Sequence, residues 1–378
     1  MMRWLCGLIL ALSAATLSAG ERPYHPDSPW NLKIGETPKT DPNSAFYLSQ
    51  MSGVFGIDPN QYTMPVYEID ASTPMKPVLL SGVFSEVSNQ GQDLRLLKRT
   101  TVLAPLPVGA RAAKGSDSQI VLWDPVTGDE WGFWQARPLP DGSWVAVNGY
   151  RYNTRWSGVP PRGFISRGAG VPYLIGLVRP WEIQQGRIDH AIALGINYPN
   201  PMHIHPATKS DGKAFEPHYL PMGARLQLDP TLGEADFDRW QLTPVERVIA
   251  RALQQYGMIL IDGSGHPKLY AEYEGTAHWD GALHKRTLRR IPYEAFRVLD
   301  LTTQTPQQAP AATVVVREGA RWLEWPEVPG ANRYRIWLDG EPQEVRAGPL
   351  QIPATSQEIR LAALNHQGLG PAITVVLP

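Results

Sequence analysis

Residues 119–135 read Gln119-Ile120-Val121-Leu122-Trp123-Asp124-Pro125-Val126-Thr127-Gly128-Asp129-Glu130-Trp131-Gly132-Phe133-Trp134-Gln135. Two β-prone aromatic runs flank a Pro/Gly/Asp turn, which predicts a β-hairpin. Short runs of the same kind lie on either side: Met64–Ile69, Val78–Leu80 and Ser143–Val147. Residues 138–142, Pro-Leu-Pro-Asp-Gly, supply a further turn. The expected class is mainly β, with a β-sandwich or jelly-roll-like main domain carrying a few helices. One helix is predicted from Thr243 to Tyr256, opening on the capping box Thr243-x-x-Glu246 and leading through Gly257 into a strand, Met258–Ile261. Another is predicted from Pro180 to Leu194, with proline in its first turn and Ile183, Ile188, Ala191 and Leu194 near one stripe.

The chain ends are of a different character. Residues 1–20 place Arg3 before a short apolar run and Ser18-Ala19-Gly20 before Glu21, the layout of a secretory signal peptide. Export to the periplasm or the medium is therefore expected, with a mature start near Glu21. Cys6, the single cysteine, would leave with that segment, taking thiol chemistry, disulfides and Cys-ligated zinc with it. No later stretch is long and apolar enough for a membrane span. Residues 303–312, TQTPQQAPAA, are uncharged and aperiodic and read as a linker. Residues 21–302 form the main domain, and 313–378 form a second unit of short alternating strands. In that unit Trp325-Pro326, Pro329-Gly330-Ala331, Tyr334-x-Ile336 and Ile359-x-Leu361-x-Ala363-x-Asn365 resemble a fibronectin type III module, although Gln357 stands where that fold usually has its corner tyrosine.

Composition narrows the function classes. The 378 residues are 43% apolar and 19% charged, and 35 Lys+Arg balance 36 Asp+Glu. No basic run is long enough to displace counterions along a phosphate backbone, so nucleic acid is not an expected partner. Thirteen Trp and 14 Tyr argue for ordered cores and against extensive disorder. The nucleotide-cradling glycine loops are absent from the contexts that would give them meaning, and no cofactor is expected.

Several motifs are similar to a large family of secreted, mostly uncharacterised bacterial proteins over residues 40–300. They are Pro65-Val66-Tyr67-x-x-Asp70-Ala71-Ser72-Thr73-Pro74, Asp124-Pro125-x-Thr127-Gly128, Gly176-Leu177-x-Arg179-x-x-Glu182-x-x-x-Gly186-x-Ile188-x-His190-Ala191 and Tyr256-Gly257-Met258-x-x-x-Asp262. The resemblance implies export, often alongside fibronectin-type modules, and brings no activity with it. An acidic residue often occupies the place of Gly132 in that pattern, so any role for that carboxylate falls away here.

The candidate chemistry starts from the first predicted helix, on which Glu182, Gly186 and His190 climb one face with Arg179 a turn before. A carboxylate and an imidazole across a glycine could protonate a sugar unit. Equally, Glu182 could cap the helix and His190 could be a satisfied core histidine. Asp262 follows a hydrophobic strand, in an Asp-Gly sequence that also reads as a turn. Tyr256 is a further candidate base, and Trp279 and Asp280, in a polar-aromatic loop with His278 and His284, could floor a glycan groove. His203-x-His205 has metal-chelating spacing, but its Asn/Pro surroundings read as loop, no third ligand can be chosen among His190, His218 and Asp211, and no metal site is assigned. The functional expectation is an exported protein acting on extracellular polysaccharide, as a glycoside hydrolase or polysaccharide lyase; the alternative is a non-catalytic glycan- or cell-wall-binding protein. Glu182, His190, Asp262 and Tyr256 would be catalytic, with Glu130 a substitute carboxylate, and Arg179, Trp279, Asp280 and Trp134 would bind substrate. For a lyase, Arg179 would neutralise a uronate while His190 and Tyr256 took the proton.

Overall fold

The computed structural model describes residues 22–82, 85–87, 99–160, 165, 167–214, 219–301, 308–326, 328, 331, 333–345, 348–365 and 368–377. His218, residues 1–21 with the expected signal peptide, and residues 303–307, the first half of the expected linker, lie outside them.

The hairpin forms as its sequence dictates. Strands Ile120–Trp123 and Asp129–Trp134 pair antiparallel, with Ile120 opposite Phe133 and Trp123 opposite Glu130. Asp124 closes the turn by accepting from the Val126 and Thr127 amides at 2.8 and 3.1 Å. Val66–Glu68 joins in parallel on one side and Asn148–Asn153 antiparallel on the other. Every residue of Ile120–Trp123 is buried, because this sheet has a core on each face. Ile120, Leu122, Trp131 and Phe133 meet Val78, Leu80, Trp144 and Ala146 of a second four-stranded sheet, completing a β-sandwich. Val121, Trp123, Tyr150 and Tyr152 face the other way, into a larger core shared with the second half of the domain. A sheet covered on both faces selects continuous apolar runs over alternation. Gly132 follows from the same packing: a Cβ there would stand 2.2 Å from the Tyr150 ring.

The second half is built on a mixed six-stranded sheet in the order 56–57, 268–269, 192–196, 258–263, 225–228, 296–298. Its two central strands, Ile192–Ile196 and Met258–Gly263, run parallel from Ile192 opposite Met258 to Ile196 opposite Gly263. Helix Pro244–Gln255 forms as predicted. The Thr243 hydroxyl accepts from the Glu246 amide, the Glu246 carboxylate accepts from the Thr243 amide at 2.8 Å, and Ile249, Ala252 and Leu253 are buried. The chain then turns at Gly257 (φ +72°) straight into the central strand.

The first helix needs correction. It spans only Pro180–Gln185, and Gly186 ends it in the left-handed conformation, φ +78°. What reads as its second half is instead the buried strand Ile192–Ile196. Glu182, Gly186 and His190 therefore do not climb one helix face. Gly186 serves the C-cap, where glycine carries no Cβ penalty.

The terminal unit is a second β-sandwich. Strands Thr313–Arg317, Ala320–Glu324 and Leu350–Ile352 form one sheet; Glu341–Val345, Arg333–Leu338, Glu358–Asn365 and Gly368–Val376 form the other. Leu323, Tyr334, Ile336, Ile352, Ile359 and Leu361 fill the space between them. The Asp339 carboxylate, accepting from the Gln357 and Glu358 amides at 2.8 and 2.9 Å, holds the corner at Gln357. The protein is mainly β, as expected. Among the described residues, no helix is long and apolar enough to cross a membrane.

Candidate active site

The parallel pair of central strands separates the predicted site residues into two groups. Met258 and Asp262 stand four steps apart on one strand, about 13 Å at the usual rise. Tyr256 and His190 precede the starts of the two strands, whereas Asp262 lies at the finishing end. Glu182, His190 and Tyr256 therefore cannot act with Asp262 on a single bond.

At the starting end the charges are matched and enclosed. Glu182 is 1% exposed. One of its oxygens accepts from the Arg179 amide at 2.8 Å and the other faces His190 Nε2 at 2.9 Å. His190 Nδ1 lies 2.9 Å from the Ala191 carbonyl. Both ring nitrogens thus face acceptors, the arrangement of an imidazolium. Burial alone would lower the His190 pKa, but the charge and hydrogen bond of Glu182, with the Ala191 carbonyl, outweigh it and raise it. Arg179 is also committed, its Nε 2.6 Å from Glu272 and its guanidinium 5.7 Å from the Trp123 ring centroid. The cavity bordered by Arg179, Glu182 and His190 measures about 10 Å³, space for at most one water. Tyr256 is buried at the exit of helix Pro244–Gln255, with its hydroxyl against Asp189. This is the cap-and-core arrangement of these residues. The lyase trio Arg179, His190 and Tyr256 has neither a free cation nor space for a uronate.

At the finishing end the charges converge and remain open to solvent. Arg167, Lys268 and Tyr270 form the base, 1%, 7% and 3% exposed. Asp262 and Lys209 are half-buried above them, and Asp211 is exposed at the mouth. The Asp211 and Asp262 Oδ1 atoms lie 2.6 and 2.8 Å from the point that a Cβ on Gly168 would occupy. Glycine at 168 thus keeps open the space on which two carboxyl groups converge. Desolvation, reinforced by the negative charge of Asp211, pushes the Asp262 pKa up to about 7, against the attraction of Arg167. Burial lowers Lys268 to about 8, with Asp262 opposing, and lowers Lys209 too, with Asp211 and Asp262 opposing. Lys268 donates to the Tyr62 carbonyl at 2.8 Å and sits 4.7 Å from the Tyr270 ring centroid. The Arg167 guanidinium lies 4.8 Å from the centroid of the same Tyr270 ring, and its Nη1 donates to the Pro172 and Ile175 carbonyls. Among the described residues its buried Nε has no hydrogen-bond partner. Ligand crevices of parallel sheets open outside the carboxyl ends of their strands, which is where this cluster lies.

The remaining predicted residues are distributed as follows. Trp134 borders the finishing-end cluster: its Nε1 donates at 3.3 Å to Asp117, whose charge acts on Asp262, Lys268 and Tyr270. Trp279 is 5% exposed and donates to the Glu272 carbonyl at 2.7 Å, so it belongs to the core and has no face for a sugar. Asp280 and His278 are exposed beside it, both at positive φ. Glu130 is fully buried, accepting from the Tyr24 and Tyr150 hydroxyls at 2.5 Å each and from the Leu174 amide. It ties the N-terminal segment to the hairpin sheet. His203 ends strand Asn200–His203, and among the described residues no three His, Cys, Asp or Glu side chains converge to hold a metal. Sequence reasoning missed Arg167, Lys209, Lys268 and Tyr270, and considered Asp211 only as a metal ligand. One local signal was present: Lys268 and Tyr270 are two apart in an extended apolar stretch and so share a side.

No family model and no curated protein matches the chain. Among solved structures it is similar to one described as "Structure of FN3tt mut", at 23% identity, covering 19% of this chain and 92% of that one with a TM-score of 0.17. It is also similar to the crystal structure of chicken CNTN1 FN1-FN3 domains, at 12% identity, covering 66% of this chain and 75% of that one, again with a TM-score of 0.17. At that TM-score neither likeness bears on the site.

Proposed function

We propose that the protein is an exported glycoside hydrolase acting on extracellular polysaccharide, with Asp262 as general acid and Asp211 as its partner carboxylate. The supporting observation is the convergence of these two carboxyl groups on the space left by Gly168. In this reading Asp262 gives its proton to the leaving glycosidic oxygen as the C–O bond breaks. Asp211 attacks the anomeric carbon from the opposite side, and water, deprotonated by the Asp262 carboxylate, then releases the sugar. The close approach of the two carboxyls favours this retaining route, which uses a separation of about 5–5.5 Å, over the wider spacing that admits a water for inversion. An acid poised near neutrality beside a second carboxyl group is the pairing such chemistry requires. Trp134, held by Asp117 at the rim, provides an aromatic edge for a sugar ring. The signal-peptide layout of residues 1–20 and the motif resemblance to secreted bacterial proteins support export.

The test is incubation of the purified protein with a panel of neutral and acidic glycans, following reducing ends and the absorbance of unsaturated products. New reducing ends without unsaturation, lost in both Asp262→Asn and Asp211→Asn, are expected. Unsaturated products would mean a lyase. Binding without turnover across the panel would mean a glycan-binding protein. Intact-mass measurement of the exported chain should give a start near Glu21; retention of Met1 would refute export by cleavage.

A further inference from the structure

On the far side of helix Pro244–Gln255, the segment Lys285-Arg286-Thr287-Leu288-Arg289-Arg290 carries four cations in six residues. All four are exposed, while Thr287 and Leu288 between them are 3% and 0% exposed. Leu288 is held at φ +75°, a conformation costly for a branched side chain. Two contacts fix it there. The Glu246 carboxylate, already engaged in the helix cap, accepts from the Leu288 amide at 2.8 Å, and the Thr287 hydroxyl accepts from the His284 amide at 3.0 Å. The segment is thus pinned at its centre and presents its guanidinium groups on either side.

The neighbouring cations are neutralised and these are not. Arg239 pairs with Asp236, Arg247 with Glu234 and Asp238, and Arg251 with Glu234. Among the described residues, none of Lys285, Arg286, Arg289 and Arg290 forms an ion pair; Arg290 donates to the Gln241 carbonyl. Arg286 and Arg289 border an open groove of about 470 Å³ whose floor is largely apolar: Val54, Phe55, Ile291, Pro292 and Tyr293. Tyr293 is oriented by its hydroxyl, which donates to the Gly53 carbonyl at 2.9 Å, and by an edge contact with Phe55. One acid, Glu294, lies at the rim.

From this geometry we infer that the groove is a second glycan-binding site, separate from the carboxylate pair and independent of its role, selecting polymers that carry carboxylate groups. Arginines across an apolar floor suit a uronate unit: guanidinium forks take the carboxylate while the C–H face of the ring lies on Pro292, Val54 and the Tyr293 edge. Nucleic acid fits less well. The formal charge of the whole chain is −1, and beside the buried Phe55 the groove offers a single aromatic ring, Tyr293, where single strands stack successive bases on several.

Affinity electrophoresis of the full chain through gels containing polygalacturonate, with dextran gels as the neutral control, tests the inference. Retardation by polygalacturonate alone, weakening as salt rises, is expected. Arg286→Ala with Arg289→Ala should weaken it about tenfold or more at unchanged melting temperature. If that variant is destabilised, Lys285→Glu, on an exposed side chain outside the groove lining, should still weaken retardation in a folded protein, by about threefold. No retardation of the native chain, or retardation unaffected by these changes, overturns the inference. So does an equally charged single-stranded oligonucleotide that competes at lower concentration than the uronate polymer, since the surface would then read phosphates. Retardation is read on the gel and turnover in the glycan panel, so loss of one without the other separates failure here from failure of the hydrolase reading.

Discussion

Replacing Asp262 by Asn should make the protein more stable at neutral pH and no more stable in acid. The folded carboxyl titrates near 7 against an ordinary value of 3.8, mainly because it is desolvated and next because Asp211 faces it. Between those values the folded chain holds a proton that the unfolded chain has released. Wild-type stability therefore falls as pH rises through this window, by up to about 1.4 kcal/mol per pH unit. Three units give a ceiling of about 4 kcal/mol. Asp262 is half-buried, and Lys268 loses an attractive neighbour when the carboxylate is removed, so about 2 kcal/mol is the lower figure. At roughly 2–4 °C per kcal/mol for a domain of this size, Asp262→Asn should melt at least about 4 °C above the native protein at pH 7.5. The two should coincide near pH 4. Thermal scans at half-unit intervals from pH 4 to 7.5 measure the difference directly, and Lys268, lowered to about 8, is still mostly protonated at the upper limit. The His190 contribution is common to both proteins and cancels. A variant less stable than wild type at pH 7.5, or a difference that does not change with pH, would refute the argument that this carboxyl is held at a cost.

Three further outcomes follow from the same geometry. Gly168→Ala should reduce glycan turnover at least about 100-fold, because the new Cβ would push into both carboxyl oxygens, and a displacement of about 1 Å is enough for such a loss; steady-state kinetics with wild-type turnover would remove the pair from the mechanism. His190→Ala should destabilise by about 3–5 kcal/mol in denaturant titration, since it leaves Glu182 buried without its counterion. The stabilisation from His190, whose folded pKa is raised, is fully present below its unfolded value of 6.5 and is lost as pH rises through the folded one; a destabilisation below 1 kcal/mol would contradict the buried-pair assignment. Gly186→Ala should cost about 1–2 kcal/mol through φ alone, because open space surrounds the position, and it should leave turnover unchanged; a fall in turnover would return the helix end to the site.

What the sequence discloses depends on how local the deciding interaction is. Helix Pro244–Gln255 is readable because its cap, its apolar stripe and its exit glycine all lie within fifteen residues. The hairpin at Asp124–Asp129 is readable for the same reason. The segment from Pro180 onward is not, because Ile188, Ala191 and Leu194 suit a helical stripe and a buried strand equally well. The choice between them is made by Gly186 entering the left-handed region and by a strand that begins at Met258, 66 residues beyond its partner Ile192. The candidate site is harder still. Asp262 is visible as a polar residue at the end of an apolar strand. Its partners Arg167 and Asp211, which give the position its chemistry, are brought to it from loops that carry no pattern. Trp279 shows the converse failure: a polar neighbourhood in sequence says little when the ring itself turns inward to donate to Glu272.

The two ends of the parallel strand pair make the strongest case for where chemistry resides. Both gather acids and bases from distant parts of the chain, and at both some of those groups are desolvated. At the starting end each charge has a counterion at hydrogen-bond distance, Glu182 with His190 and Arg179 with Glu272, and the residual space is that of a single water. Such matching fixes a fold and leaves nothing for a substrate to satisfy. At the finishing end two acids converge on each other across a missing side chain, a lysine is lowered to about 8, and a buried guanidinium nitrogen has no acceptor among the described residues. That mismatch costs stability, and the cost is tolerated when a transition state supplies the missing complement. The same physics therefore reads His190 as structure and Asp262 as function, although in sequence the two looked alike.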